Sequence, residues 1–325
     1  MRSVKYALIA TGFVFATSLG ILAPPYHISL LTFMMLYGIL ALSYDIMGGL
    51  IGYMNLGHII FYGIGAYVFG LTINYLHKVT DSSYFPAILF LAFVMSMITT
   101  GLVALLLSYP LFRLRGFYFA VASLGLISFT NLLFSSPELA PITGGFSGIT
   151  LIRDIARLTS PQLSYYLALG FFIITSIAHF LLRRGRIGLN LKCISEDEEL
   201  SEISGINTFR YKQLALILSA MLAGIAGGCY MWFQTYINPR LVFSIELAFL
   251  PLTIALLGGS GTFIGPLVGA IIFTIVYQFL VVNLPSLTKL IFGVVLIGVG
   301  IGGSRGLMEI YSLMLRRFRR QDNTS

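Results

Sequence analysis

Charge is scarce in this sequence. Only 10% of its 325 residues are Asp, Glu, Lys or Arg, whereas 57% are hydrophobic. A soluble domain carries roughly 25% charged residues. A water-solvated fold of this length could not cover so much apolar surface, so an ordinary soluble protein is excluded. Cysteine occurs twice, Cys193 in a polar stretch and Cys229 in an apolar one. That excludes a disulfide framework and a Cys-x-x-Cys metal or redox motif. His58 and His179 each lack a second ligand three or four residues away, so no metal site is expected. The chain also lacks G-x-x-x-x-G-K-[ST], the loop that cradles ATP phosphates. Paired catalytic carboxylates and nucleophile motifs are missing too, and an enzyme is not expected.

Long apolar runs are abundant. A spanning helix needs roughly 20 mostly apolar residues. Ten candidate segments meet that pattern, at about 6–23, 28–47, 57–76, 85–108, 116–134, 162–182, 213–236, 247–263, 266–282 and 287–302. The Gly265-Pro266 joint between the eighth and ninth is also compatible with a re-entrant bend. The runs are continuous rather than alternating, which argues against a β-barrel. Residues 6–23 lack a small-residue cleavage site and are long for a signal peptide, so they read as a retained helix. The expected fold is all-α: a polytopic transmembrane helical bundle, one domain over 1–325.

The net charge of +8 reports orientation rather than nucleic acid. With the N-terminus in the cytoplasm and the segments alternating, 15 of the 20 basic residues fall inside. Arg2 and Lys5, Arg113 and Arg115, the 183–212 stretch and a basic tail over 303–325 hold them. Such an excess satisfies the positive-inside rule and also puts the C-terminus inside. The Arg316–Arg320 cluster suits contact with anionic lipid.

The inner connection, 183–212, is the most informative stretch. Ser195 is a good N-cap, and Glu198 three residues later completes a capping box. Glu196, Asp197, Glu198 and Glu199 fill a first turn, where the helix dipole favours negative charge. Gly205 sits where a residue with positive φ would end the helix. A helix of two to three turns is expected, carrying Leu200, Ile203 and Ile206 as an apolar stripe. One reading is a solvated surface helix. The other is a coupling helix that docks on a cytoplasmic partner, with the acids, Glu202 among them, meeting basic rim residues.

Two glycine-rich breaks interrupt the apolar sequence. The first carries Asp45, Gly48, Gly49, Gly52, Asn55, Gly57 and His58, the second Gly258, Gly259, Gly261 and Gly265-Pro266. Non-helical backbone at membrane depth survives only when it is buried in protein or lines a wet cavity. Paired breaks point to a transport pathway. The glycines also fall at spacings of four, which suits close helix packing. Asp45 and Glu246 are the acids nearest the bilayer, and both fall near segment ends, where water reaches.

These landmarks carry a resemblance. Gly205-Ile206-Asn207 with Tyr211-Lys212, Gly52-x-x-Asn55-x-Gly57-His58, Arg115-Gly116-Phe117, Thr143-Gly144-Gly145 and Gly258-Gly259-Ser260-Gly261 run in one order. Together they resemble the permeases of branched-chain amino acid ABC importers, most closely the LivM type. The resemblance implies an inner-membrane permease for branched-chain or related apolar amino acids. It implies that the chain binds no cofactor and that ATP is hydrolysed by two cytoplasmic ATPase subunits. It also implies a second homologous permease and a soluble binding protein that meets the outer face near Thr143, Gly144 and Gly145. A permease for urea or short amides, and an ion-coupled secondary transporter with Asp45 as its acid, remain as alternatives.

Overall fold

A computed structural model describes residue 20, residues 23–80 and residues 84–302. Nearly all of the expected first span and the whole basic tail lie outside the described residues. The fold is almost entirely helical. Helices α1 (Pro25–Gly48), α2 (His58–Val79), α3 (Phe85–Leu111) and α4 (Phe117–Ser135) form the first half. A compact connection follows, with α5 (Ala140–Thr143), a 3-10 turn at Gly145–Ser147, β1 (Ile149–Thr150) and α6 (Arg153–Leu158). Then come α7 (Pro161–Arg184), α8 (Arg186–Glu196), α9 (Glu198–Ile203) and α10 (Thr208–Gln234). β2 (Tyr236–Ile237), α11 (Pro239–Val242), α12 (Ile245–Gly258), α13 (Ile264–Asn283) and α14 (Thr288–Gly302) complete it.

Eight helices among the described residues are long and apolar enough to cross a membrane, α11 and α12 counting as one. They alternate in direction, as the hydropathy predicts. The expected tenth segment is present as α14, of which 15 residues are described. The molecule therefore has two ends. One, the basic end, gathers the 49–57 loop, residues 112–116, α8, α9 and the 259–263 turn. The other gathers the α5–α6 connection and residues 235–244.

The centre is the α1–α2–α3–α10 group. Glycines set its spacing: a Cβ on Gly65 would collide with the backbone of Gly224, and one on Gly227 with that of Tyr62. Ser96 Oγ ties the same crossing, donating to the Gly224 carbonyl at 2.9 Å and the Gly65 carbonyl at 3.0 Å. Small residues at such a crossing bring backbones close enough for dispersion and interhelical bonds to hold them in lipid. Tyr67, Phe69, Phe119 and Trp232 fill the surrounding core.

One helix, α2, begins inside the bundle instead of at its rim. His58, which opens α2, lies beside Ser219, while Tyr53 lies beside Lys212. Those α10 residues are about two turns apart, roughly 10 Å at 1.5 Å per residue. The 53–58 segment thus climbs into the protein as non-helical backbone. At the opposite end Asn131 Nδ2 donates to the carbonyls of Pro239 and Phe243 at 3.2 and 3.1 Å, tying α4 to the segment just before the 14-residue α12.

Candidate functional site

Three clusters hold the residues singled out from sequence. The first joins both glycine breaks. Asp45 and His179 are both fully buried, and Asp45 Oδ2 faces His179 Nε2 at 3.0 Å. The other carboxylate oxygen accepts from Ser260 Oγ at 2.9 Å and from the Gly261 N–H at 2.8 Å. Gly49 leaves room for this approach, since a Cβ there would collide with the carboxylate and with the Gly261 backbone. The expectation that water reaches Asp45 is therefore corrected. In the folded chain α7 and the 259–261 turn enclose it, which local hydropathy could not show. Gly258 packs against Gly265, and Gly48 against the Tyr44 ring, so both serve close packing.

The second cluster lies around His58, which is fully buried between Ser43 Oγ at 2.9 Å and Ser219 Oγ at 3.3 Å. Asn55 is buried beside it, near Gly57, and its Nδ2 finds no partner among the described residues. Tyr44, edge-on to His58, likewise buries an unpartnered hydroxyl. Such orphaned polar atoms are costly in a dry interior.

The third cluster is the acidic segment. Gly205 has φ +86 and ends α9 as its position predicts. The start of the helix differs from the expectation. Ser195 and Glu196 close α8, and the cap is Asp197, which accepts from the Leu200 N–H at 2.9 Å. The reason is a second amphipathic helix: Arg186–Glu196 buries Leu191 and Ile194 and takes the expected cap into its own last turn. Glu196 and Asp197 thus precede α9 instead of filling its first turn. Leu200 and Ile203 are 61% and 85% exposed, whereas Ile206 packs inward on the core. The apolar stripe is therefore two residues wide.

Glu198 turns into the bundle. Its carboxylate accepts from Lys212 Nζ at 2.6 Å and from the Tyr53 hydroxyl at 2.7 Å. Lys212 is buried under the rings of Tyr53 and Phe112. Burial pushes the Glu198 carboxyl up, but the bonds from Lys212 and Tyr53 outweigh it and hold its pKa below the ordinary value. Tyr53 is pushed the other way, by burial and then by the Glu198 carboxylate. Glu202 accepts from the Thr208 hydroxyl, and Glu199 makes an exposed 3.4 Å pair with Arg115. Gly52, with φ +82, lines a cavity with Arg115, Asp197, Glu198 and Glu199.

At the opposite end Thr143 and Gly145 are buried. Thr143 Oγ1 donates to the Phe134 carbonyl at 2.7 Å, and Gly144 is left-handed at φ 72. The motif is a scaffold. What it presents outward is Ile142 and Phe146, the latter beneath the Arg240 guanidinium. The motif residues gave no sign that their neighbours form the surface.

The described residues form a multi-pass helical bundle with an inward-dipping segment and a braced basic end. Residues 26–300 match the family described as the permease component of the branched-chain amino acid transport system, and the chain belongs to it. It is 27% identical over 296 residues to the high-affinity branched-chain amino acid transport permease LivM of Salmonella typhimurium, covering 82% of this chain and 65% of that protein. LivM of Escherichia coli K12 is 28% identical over 84% of this chain and 66% of its own length. BraD of Pseudomonas aeruginosa, also a high-affinity branched-chain amino acid permease, is 24% identical over 75% of this chain and 81% of its own. The chain thus spans about two thirds of the length of the LivM proteins. No solved structure matches.

Proposed function

We propose that this chain is the permease subunit of an ATP-binding cassette importer in the cell inner membrane, translocating branched-chain or related apolar amino acids. The family membership and the names of the relatives support this reading. On it, two cytoplasmic ATPase subunits carry the ATP and a second homologous permease completes the pore. A soluble binding protein delivers substrate at the end bearing Ile142 and Phe146, next to Thr143, Gly144 and Gly145. The basic end faces the cytoplasm, as the positive-inside rule requires.

The observation that carries the coupling role is the division of labour within α9. Leu200 and Ile203 point outward, while Glu198 is fastened to Lys212 and Tyr53. A partner gripping the exposed pair would pull on α10 and the 49–57 segment through a charged clamp. Glu196, Asp197, Glu199 and Glu202 give the docking face its sign, and Gly205 and Ile206 fix its end. The pathway would run past Asp45, Gly48, Gly49, Gly52, Asn55, Gly57 and His58 and the Gly258–Gly261 turn. The orphaned atoms of Asn55 and Tyr44 suit a route that is wetted only when open.

The buried Asp45–His179 pair is the one observation behind a second reading, ion-coupled transport. Liposomes separate the two. The proposal expects uphill leucine uptake only when the native assembly, nucleotide hydrolases included, is supplied with ATP. Uptake by the purified chain alone under a proton or sodium gradient would overturn it.

A further inference from the structure

Four cations of the basic end line a cavity of about 660 Å³. Arg183 and Arg184 close α7, Arg186 opens α8, and Lys192 follows on the same helix. None of the four makes an ion pair with a described residue. Glu196 is the one acid among the described lining residues, and it lies roughly 15 Å along α8 from Arg186. The 11-residue α8 starts at this wall with no side-chain cap, so its first amides add donors where a helix favours an anion. A second cavity, of about 380 Å³, shares Arg183 and Arg184 and is otherwise walled by Phe180, Thr262, Phe263 and Ile264. Arg184 covers the Phe180 ring at 4.2 Å, and Ile264 is exposed among the described residues. Basic residues close many spans on their inner side. Here they also surround a hollow, lack acidic partners and adjoin an apolar groove.

We infer that the paired cavities form a site for one anionic phospholipid. The phosphate headgroup takes the four cations and the α8 amides, and an acyl chain takes the groove of Phe180, Phe263 and Ile264. The inference goes beyond the importer reading and does not depend on it, since it needs only that α7 crosses a membrane. Guanidinium forks match phosphate oxygens in pairs, and a guanidinium stacked on a ring keeps its N–H edge free for them. Basic pockets between spans at the membrane surface suit anionic headgroups. Arg183 and Arg184 belong to both cavities, so the charge sits where headgroup meets chain. A free phosphate, or the acidic face of a docked protein, would use the cations and leave the apolar groove without an occupant. Gly49 and Gly261 line the first cavity as well, which sets the headgroup against the two turns that enclose Asp45.

Quenching by brominated lipid tests this on the full chain in nanodiscs. Ile264→Trp puts a reporter in the groove, and Leu181→Trp, on the exposed side of the last α7 turn, is a second one. The unsubstituted chain, whose single tryptophan is the buried Trp232, sets the background. Discs of phosphatidylcholine receive rising fractions of dibrominated phosphatidylglycerol or dibrominated phosphatidylcholine. The anionic lipid should half-quench at a mole fraction about fivefold or more below that of the neutral one. Arg183→Gln with Arg184→Gln should abolish that preference, and Arg186→Gln with Lys192→Gln should at least halve it. Arg153→Gln with Arg157→Gln makes the same charge change on α6 and should leave it intact. Inorganic phosphate should have no effect beyond that of chloride at matched ionic strength. Equal quenching by the two lipids, no quenching of either reporter, or loss of the preference in the α6 control would overturn the site. Displacement by inorganic phosphate would assign the cavity to the free anion instead. No lipid preference, with hydrolase co-purification lost in Arg186→Gln with Lys192→Gln, would give the cations to a protein partner.

Discussion

The two ends of this molecule are held by different chemistry. At the basic end the bonds between elements involve ionisable side chains: Asp45 to His179 and the 259–261 turn, Glu198 to Lys212. At the opposite end neutral amide bonds are prominent. Asn74 Nδ2 donates to the Thr150 carbonyl at 2.8 Å, its Oδ1 accepts from the Ile152 N–H at 3.0 Å, and Asn131 holds two further carbonyls. Buried charge-assisted bonds are stronger and costlier to leave half made. On the proposed coupling role, force from outside would enter through these bonds of the basic end. The opposite end is a set of modest, separable bonds, fit to present a surface.

Substitutions at the two ends should differ accordingly. Asp45→Ala should cost most, about 3 kcal/mol or more, because it strands His179 and frees the glycine turn. A large fall in the thermal midpoint of the solubilised protein checks this, and an unchanged midpoint would contradict it. Lys212→Met should cost somewhat less, about 2 kcal/mol, by leaving Glu198 half-buried without its cation. It should also change the pH profile. The folded Glu198 pKa lies below its unfolded value, so its stabilisation is present above the ordinary carboxylate range. That stabilisation is lost as pH falls through the lowered pKa, and Lys212→Met should flatten this acid limb.

At the neutral end Asn131→Ala should cost about 1 kcal/mol, with no change in pH dependence. Arg115→Ala removes the exposed pair with Glu199 and should shift stability by no more than about 0.5 kcal/mol. A larger loss at Asn131 than at Lys212 would reverse the contrast between the ends.

Much of the architecture is legible locally. Helix existence, alternation of direction and the Gly205 stop follow from apolar run length and one positive φ. The choice of cap is not local. Ser195 and Asp197 each stand three residues before a plausible partner, and tertiary bonds decide between them: Glu198 reaches Lys212 and Tyr53 only if the chain turns at Asp197. The partners of Asp45 are equally hidden, since His179 and Ser260 lie far along the chain and carry no local mark. Thr143 and Gly145 stand out in sequence because they build the loop, while the exposed Ile142 and Phe146 look ordinary.

The outward pair on α9 offers the most direct test of force entering at the basic end. Leu200→Ser with Ile203→Ser changes two exposed side chains and should leave the thermal midpoint in place. Co-purification of the nucleotide hydrolase from native membranes should be lost, and ATP-driven uptake with it. Full co-purification and uptake by the double variant would contradict the account.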